Sequence, residues 1–167
     1  MAKGGIKMKI SFDLDGVITH SSKWFFRMLN LIREINPCSL QLQRAEIDYY
    51  SSLQLNLNPN LFLAKDDIGV IITCRRPFAK QVTEDWLAKF GIRLPVIFVD
   101  NGVDWSNYYA GSMVASKLKA LAIKKLSVDI HFDNNPYLVR ELRLLLPTVK
   151  VICIGAEDDY EVEVCKS

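Results

Sequence analysis

A short apolar run that ends in two aspartates and a glycine most restricts what this chain can fold into. It occupies residues 9–19, with the sequence KISFDLDGVIT. Apolar and polar residues alternate before the aspartates, which indicates a strand, and Gly16 permits the tight bend that ends it. Asp13 and Asp15 therefore follow the strand and point the same way, because side chains in a strand repeat every second residue. Two such carboxylates repel each other, so the pair indicates a functional site.

The rest of the chain predicts a parallel sheet built from strands that alternate with helices. Continuous apolar runs predict further strands at residues 68–72, 95–99, 128–132 and 149–154. Helical patterns lie between them, at residues 77–90 and 112–125 and from Pro136 onward. Alternating strands and helices joined by crossovers are typical of a Rossmann-like, doubly wound α/β fold.

The segment at residues 17–66 predicts an insertion between the first two strands of this sheet. It carries helical patterns at residues 25–35 and 40–53, and it contains no run typical of a parallel strand. We therefore expect residues 1–167 to form a single domain, with a small helical cap inserted at about 17–66.

Composition narrows the classes of protein to consider. The chain has 167 residues, of which 50% are hydrophobic, so it is long enough for a real core. A net charge of +2 argues against a general electrostatic binder of nucleic acid. No apolar run reaches about 18 residues, and no signal-peptide core is present, so we expect a cytoplasmic protein that does not enter a membrane. Four scattered cysteines predict free thiols and no zinc site; they are Cys38, Cys74, Cys153 and Cys165.

The ends of the other predicted strands carry further candidates, because ligands of open parallel sheets bind beyond the carboxyl ends of the strands. One strand leads into TCRRP at residues 73–77, and another into HFDNNP at residues 131–136. The helix between them carries Lys117 and Lys119. A helical wheel turns Lys119 towards the apolar face and Lys117 towards solvent, although a later helix start would let Lys117 reach the strand ends.

These patterns together resemble the haloacid dehalogenase (HAD) superfamily. Residues 9–19 resemble its motif I, hhhDxDGhhT. The anchors that match are Asp13, Asp15, Gly16 and Thr19. TCRRP resembles motif II in its TxRP form, and FDNNP resembles motif IV in the form FDDNP. The resemblance covers about residues 8–146 and implies a HAD-like fold and a phosphoryl-transfer enzyme.

The resemblance implies a set of catalytic residues. Asp13 would attack phosphorus and form an aspartyl-phosphate, and Asp15 would act as acid and base. Thr73 would donate its hydroxyl to a phosphoryl oxygen. The lysine of motif III would hold nucleophile and phosphoryl group together, and either Lys119 or Lys117 fits by position, with Lys119 favoured.

The resemblance also implies a magnesium site. Its ligands would be Asp13, the carbonyl of Asp15 and Asp133, with Asn134 in the place of a second acid. An amide can hold Mg²⁺ or one of its waters but brings no charge, so this departure predicts weaker metal binding.

Arginines and aromatic residues near the strand ends are candidates for substrate binding. Arg75 and Arg76 can bind a second phosphate or a phosphate backbone. A loop predicted at residues 100–111 carries Trp105, Tyr108 and Tyr109, which can stack on a base.

We therefore predict a magnesium-dependent phosphomonoester hydrolase whose substrate is a nucleotide or a related small phosphate. The TxRP and FDxNP forms resemble those of nucleotidases, including 5'(3')-deoxyribonucleotidase-like proteins. One alternative is a polynucleotide 3'-phosphatase, for which Arg75, Arg76 and Lys80 would form a basic path to a phosphorylated nucleic-acid end. The alternative outside enzymes is a binding module that kept the fold and lost the second acid of motif IV.

Overall fold

A five-stranded parallel sheet forms the centre of the computed structural model, which describes residues 7–21, 40–100, 102–105 and 107–154. The strands in chain order are β1 (Lys9–Phe12), β2 (Thr19–His20), β3 (Gln54–Leu55), β4 (Ile68–Thr73), β5 (Val96–Phe98), β6 (Ile130–Asp133) and β7 (Lys150–Cys153). β2 and β3 form a separate antiparallel pair. The other five strands make up the sheet in the order β5-β4-β1-β6-β7.

Four α-helices are described, and two of them begin at a polar cap. They are α1 (Leu40–Ser52), α2 (Lys80–Lys89), α3 (Tyr108–Leu126) and α4 (Pro136–Leu145). The side chain of Asn107 accepts a hydrogen bond from the amide of Ala110 at the start of α3. Asn135 caps α4 in the same way. Two 3₁₀ turns, Pro59–Phe62 and Pro77–Ala79, precede β4 and α2.

The prediction of a Rossmann-like, doubly wound α/β fold is confirmed. Every neighbouring pair in the five-stranded sheet is parallel. The chain runs outward from β1 to β4 and β5, and then crosses to β6 and β7 on the other side of β1. The connections that leave β1 and β6 therefore diverge, and such a switch point opens a crevice at the carboxyl ends of the two strands.

Helices cover both faces of this sheet. On one face Phe12, Ile71 and Trp86 are buried in a core that α1 and α2 complete. On the other face Ile72 and Ile123 are buried in a core that α3 and α4 complete. Burial on both faces explains why β4 reads as a continuous apolar run rather than an alternating one.

The structure differs from the sequence prediction in the loop after β5. We expected a loop to residue 111, but α3 already begins at Tyr108, because Asn107 caps the helix there. Tyr108 and Tyr109 consequently belong to the first turn of a helix. The longer helix also places Lys117 and Lys119 well inside α3, where the helical period alone decides the direction of each side chain.

The inserted segment contains more than helix. α1 confirms the helical pattern at residues 40–53, while the antiparallel pairing of Thr19 with Leu55 and of His20 with Gln54 was not predicted. The helix expected at residues 25–35 lies outside the described residues, so the division into a domain and a cap stays a prediction. Cys74 and Cys153 are free thiols, and Cys38 and Cys165 lie outside the described residues.

Within the described ranges, no helix combines the length and the apolar character that crossing a membrane requires.

Candidate active site

Two acidic side chains meet at the crevice between β1 and β6. Asp13 directly follows β1, and Asp133 is the last residue of β6. Phe12 pairs with Phe132 in the sheet, and the amide of Asp13 donates a 2.8 Å hydrogen bond to the carbonyl of Phe132. The register therefore sets the two carboxylates side by side on one face of the sheet. Both are buried, Asp133 almost completely.

Lys119 joins these two carboxylates. Its Nζ lies 2.6 Å from Oδ1 of Asp13 and 2.6 Å from Oδ2 of Asp133. The side chain is 2% exposed, although it is a lysine in the middle of a helix. Lys117, by contrast, is exposed on the outer side of α3. The alternative that Lys117 reaches the strand ends is wrong, because two residues along a helix turn a side chain to another face.

Burial and charge act together on the protonation of this cluster. Burial, together with the nearby carboxylates of Asp133 and Asp15, raises the pKa of Asp13 to about 7, even though Lys119 opposes the shift. Burial acts in the same direction on Asp133, but Lys119 and His131 outweigh it and hold the pKa of that carboxyl below its usual value. Burial lowers the pKa of Lys119, yet the two carboxylates more than compensate and raise it. These shifts favour a charged Lys119 and an ionised Asp133, and they make Asp13 the carboxyl of the pair that is more easily protonated.

Asp15 is held by a different set of partners. Arg75 Nε donates to its Oδ2 at 2.8 Å, and Arg75 Nη2 donates to its Oδ1 at 2.6 Å. Thr19 Oγ1 donates to Oδ1 at 3.1 Å. A carboxylate gripped through both oxygens by a guanidinium fork has a defined orientation. Asp15, two residues beyond Asp13, is thus held by Arg75, whereas Asp13 is held by Lys119.

The placement of Arg75 corrects its predicted role as a substrate ligand. Its guanidinium is committed to Asp15, and its Nη1 donates to Thr83 Oγ1 of α2 at 3.0 Å. The ring of Tyr50 lies 3.9 Å from the guanidinium carbon, and the whole side chain is buried. Burial acts to lower the pKa of Arg75, but the carboxylate of Asp15 raises it. Such an arginine orients a neighbouring acid and does not present its charge to an incoming phosphate.

Thr73 and Arg76 lie beside this arginine. Thr73 ends β4, is buried, and accepts a 3.2 Å hydrogen bond from the amide of Arg75 through Oγ1. The hydroxyl still has its own hydrogen to donate. Arg76 is partly exposed, with Nε 3.9 Å from Oδ2 of Asp100. Of the two arginines, only Arg76 leaves part of its charged side chain open to solvent.

Asn134 packs directly on the glycine of the first motif. Gly16 has φ +86°, and a Cβ at this position would overlap the carboxamide of Asn134. The positive φ and the close approach both require glycine here. The backbone amide of Asn135 donates to Oδ1 of Asp133 at 3.0 Å. Asn134 therefore lies between the loop after β1 and the buried Asp133, close to the cluster.

The aromatic candidates lie at the start of α3. Trp105 is half-buried against Gly111, where a Cβ would come within 2.8 Å of ring atom Cε3. Tyr108 and Tyr109 are exposed, and Tyr109 packs edge-on against Tyr137 with ring centroids 5.5 Å apart. Trp105 is therefore mainly a packing residue of α3, and the tyrosines present the open aromatic surface.

Sequence reasoning missed two residues under the cluster. Ser11 Oγ lies 2.8 Å from Nδ1 of His131, and Nε2 of that histidine lies 3.4 Å from Oδ2 of Asp133. Burial lowers the pKa of His131. A signal was present, because Ser11 and His131 each stand two residues before an acid of the cluster and therefore share its face of the sheet.

Comparison with known proteins shows a shared fold. No protein-family model matches the chain, and no curated protein matches it. A chain in a structure of the Pnkp1/Rnl/Hen1 RNA repair complex is 14% identical, with a TM-score of 0.59, over 92% of this chain and 44% of that one. A chain in another structure of the Pnkp1/Rnl/Hen1 complex is 14% identical, with a TM-score of 0.59, over 93% and 49%. The present chain thus spans less than half the length of either.

The third comparison is with the HAD domain of the effector protein Lem4 from Legionella pneumophila, solved as an inactive mutant. It is 12% identical, with a TM-score of 0.49, and the match covers 96% of this chain and 95% of that domain.

The position of Lys119 between two buried carboxylates predicts a large effect on stability. Lys119→Met should lower the free energy of unfolding by about 3 to 5 kcal/mol, because it leaves buried charges without a partner. Without the cation, the folded state holds the protons of both acids more tightly than the unfolded chain does. Stability should therefore fall as pH rises, and the loss should be larger at pH 8 than at pH 5. Urea denaturation in the presence of a chelator measures both effects.

Lys117→Met is the matched control, since it makes the same substitution on the exposed side of the same helix. It should change the free energy of unfolding by less than about 0.5 kcal/mol at either pH. Equal losses in the two variants would contradict the assignment of Lys119 to the cluster.

Proposed function

We propose that this protein is a phosphomonoester hydrolase of the HAD type. The observation that carries the proposal is the bridge from Lys119 to Asp13 and Asp133 at the switch point of the sheet, beside a separately held Asp15. A cation set between two carboxylates can also balance the charge of a phosphoryl group that arrives there. The same four side chains belong to the motifs that resemble the HAD superfamily.

In the first step of the proposed reaction, a carboxylate oxygen of Asp13 attacks phosphorus in line with the ester oxygen. The bond from phosphorus to the ester oxygen breaks, and Asp15, which enters the step protonated, gives that oxygen its proton. Lys119 already holds Oδ1 of Asp13, so Oδ2 is the attacking atom. The hydroxyl of Thr73 is the donor available to a phosphoryl oxygen.

In the second step, Asp15 takes a proton from a water molecule, and the water oxygen attacks the phosphorus of the aspartyl-phosphate. The bond from phosphorus to Asp13 breaks and inorganic phosphate leaves. Asp13 is then again a carboxylate, and Asp15 again carries a proton. Arg75 and Thr19 keep Asp15 oriented in both steps. An acid two residues after the nucleophile therefore favours hydrolysis over a stable phosphorylated enzyme.

The residues at the site fit Mg²⁺ as a cofactor. Three carboxylates face two cationic side chains at the site, and burial together with the neighbouring carboxylates raises the pKa of Asp13 to about 7. Among the described residues, no group of three or more His, Cys, Asp or Glu side chains is arranged to hold a metal. Mg²⁺ commonly uses one or two carboxylates and keeps several waters. Asp13 and Asp133 would hold it, with the Asp15 carbonyl and Asn134 as neutral oxygen ligands.

When bound, Mg²⁺ would supply the positive charge that keeps Asp13 ionised and balances the phosphoryl oxygens.

We infer that the substrate is a nucleotide or a phosphorylated nucleic-acid end. The exposed tyrosines at the start of α3 support a base-binding role, and Arg140 Nη2 donates to the hydroxyl of Tyr109 at 3.3 Å, which adds a cation beside the rings. A polynucleotide 3'-phosphatase remains the second candidate, and a chain of an RNA repair complex has the same fold at 14% identity. The inserted segment at residues 17–66 would form the small cap over either substrate.

Replacement of the proposed nucleophile tests the reaction. Asp13→Asn should abolish hydrolysis of an aryl phosphate, because the amide keeps the shape of the carboxylate but cannot attack phosphorus. Beryllium fluoride with Mg²⁺ should inhibit the wild type, since it mimics the aspartyl-phosphate. Steady-state turnover with and without EDTA measures both effects, and circular dichroism checks the fold of the variant. Unchanged turnover in Asp13→Asn would remove the mechanism, and no turnover in the wild type would leave a binding module.

The neutral amide of Asn134 predicts weak Mg²⁺ binding, which one substitution can strengthen. Asn134→Asp should lower the Mg²⁺ concentration at half-maximal activity by about tenfold, because a charged ligand replaces a neutral one. A Mg²⁺ titration of turnover in the two proteins measures the change. A higher Mg²⁺ requirement in the variant would mean that Asn134 does not act near the metal.

A substrate panel separates the two candidates. The ratio of kcat/KM for nucleoside monophosphates to that for hexose phosphates should be about 5 to 150, which corresponds to a stacking contribution of about 1 to 3 kcal/mol. Tyr109→Ala should reduce this preference, while Trp105→Ala should act mainly through stability. A 3'-phosphorylated oligonucleotide that is preferred over every mononucleotide would identify the polynucleotide activity. Equal values for all classes in every variant would exclude base recognition.

A further inference from the structure

The planar guanidinium of Arg75 is covered on one face by the ring of Tyr50. The guanidinium carbon lies 3.9 Å from the ring centroid, which is a close cation–π contact. Both residues are 3% exposed, so the contact is almost completely shielded from water. Tyr50 lies in the last turn of α1, in the inserted segment between β1 and β4. An inserted helix thus contacts the arginine that holds Asp15.

Two other elements hold the edge of the same guanidinium. Nε and Nη2 face Asp15 in the loop after β1, and Nη1 faces Thr83 of α2. Hydrogen bonds at the edge fix the guanidinium within its plane, whereas a ring against its face limits rotation out of that plane. Edge and face contacts together leave Arg75 a single arrangement, and Asp15 takes its orientation from it.

We propose that Tyr50 is a positioning residue for the acid–base step, acting through Arg75 on Asp15. The inference rests on the proposed function, in which Asp15 protonates the leaving oxygen. Tyr50 itself does not contact the reacting atoms in this scheme. The ring of Tyr50 keeps the guanidinium in the plane of the carboxylate, and the carboxylate is thereby held within reach of the ester oxygen. Proton transfer requires such reach, because the donor oxygen and the acceptor oxygen must lie about 2.6 to 3.2 Å apart.

Neighbouring Tyr49 distinguishes this role from ordinary packing. Its ring centroid lies 6.0 Å from that of Tyr50, and the side chain packs against the same apolar core. The arginine contact, however, is made by the ring of Tyr50. Loss of either ring removes core packing, and loss of the Tyr50 ring also removes its contact with the guanidinium. The hydroxyl of Tyr50 donates to Glu46 at 3.4 Å, and Tyr50→Phe separates its contribution from that of the ring.

The dependence of rate on the leaving group tests the proposal. A poor leaving group, such as the phenolate of phenyl phosphate, needs its proton during bond breaking far more than the 4-nitrophenolate of 4-nitrophenyl phosphate does. Loss of a well-placed general acid costs about 10² to 10⁴ in rate. Partial misplacement in Tyr50→Leu should therefore lower kcat/KM for phenyl phosphate by about tenfold or more relative to 4-nitrophenyl phosphate. The constant kcat/KM is the right measure, because it ends at departure of the leaving group and excludes hydrolysis of the aspartyl-phosphate.

Three further variants complete the experiment. Tyr50→Phe keeps the ring and should retain the wild-type ratio of the two esters. Tyr50→Met fills the space with a flexible apolar chain and should show the same loss as Tyr50→Leu at less risk to folding. Tyr49→Leu is the matched control, which should lower the thermal midpoint without changing the ratio. Thermal unfolding of each variant accompanies the kinetics.

Equal losses on both esters in Tyr50→Leu and Tyr50→Met, or no loss on either, would overturn the positioning role. A changed ratio in Tyr49→Leu would overturn it as well, since the effect would then belong to the core. Failure of the wild type to hydrolyse either ester would instead remove the proposed function.

Discussion

The ammonium group of Lys119, shared by two buried carboxylates, is the contact on which the centre of this structure depends. Asp13 and Asp133 end neighbouring parallel strands, so the register of the sheet brings them together whether or not their charges are compatible. Without a cation, burial and mutual repulsion would oppose that register. Lys119 reaches both oxygens at 2.6 Å, which ties the rotation of α3 to the ends of β1 and β6.

A second ion pair separates the acids of the first motif into two environments. Asp13 turns towards α3 and shares its cation with Asp133, whereas Asp15 is held by Arg75, which α1 and α2 support from the other layer of the fold. Two carboxylates two residues apart thus acquire different partners and can perform different tasks. Different surroundings of two neighbouring acids are the usual basis for one acting as nucleophile and the other as acid–base group.

The fold by itself says little about this chemistry. A chain only 14% identical shares the arrangement of sheet and helices with a TM-score of 0.59, and doubly wound sheets support many reactions. Side chains at one edge of the sheet support the proposed phosphoryl transfer: two bridged acids, a third acid held apart and a buried hydroxyl at the end of β4. Because helices cover both faces of the sheet, a ligand can reach the strands only at that edge.

The sequence alone determined the strands and the acids at their ends, because strand periodicity and the position of a glycine or proline are local properties of the chain. Asp13 and Asp133 could be placed at one edge of a sheet for that reason, and the helical period favoured Lys119 over Lys117. Only the tertiary structure decided what Arg75 does, since Asp15, Thr83 and Tyr50 lie far from one another in the chain and no local pattern predicts that they meet. The same holds for Trp105, whose packing depends on where Asn107 starts α3. The strand period puts His131 on the face of Asp133, but only the order of the strands buries it beneath the acids. Contacts between distant segments depend on how whole layers of the fold pack together. A single sequence shows which residues are present but not which of them will contact each other.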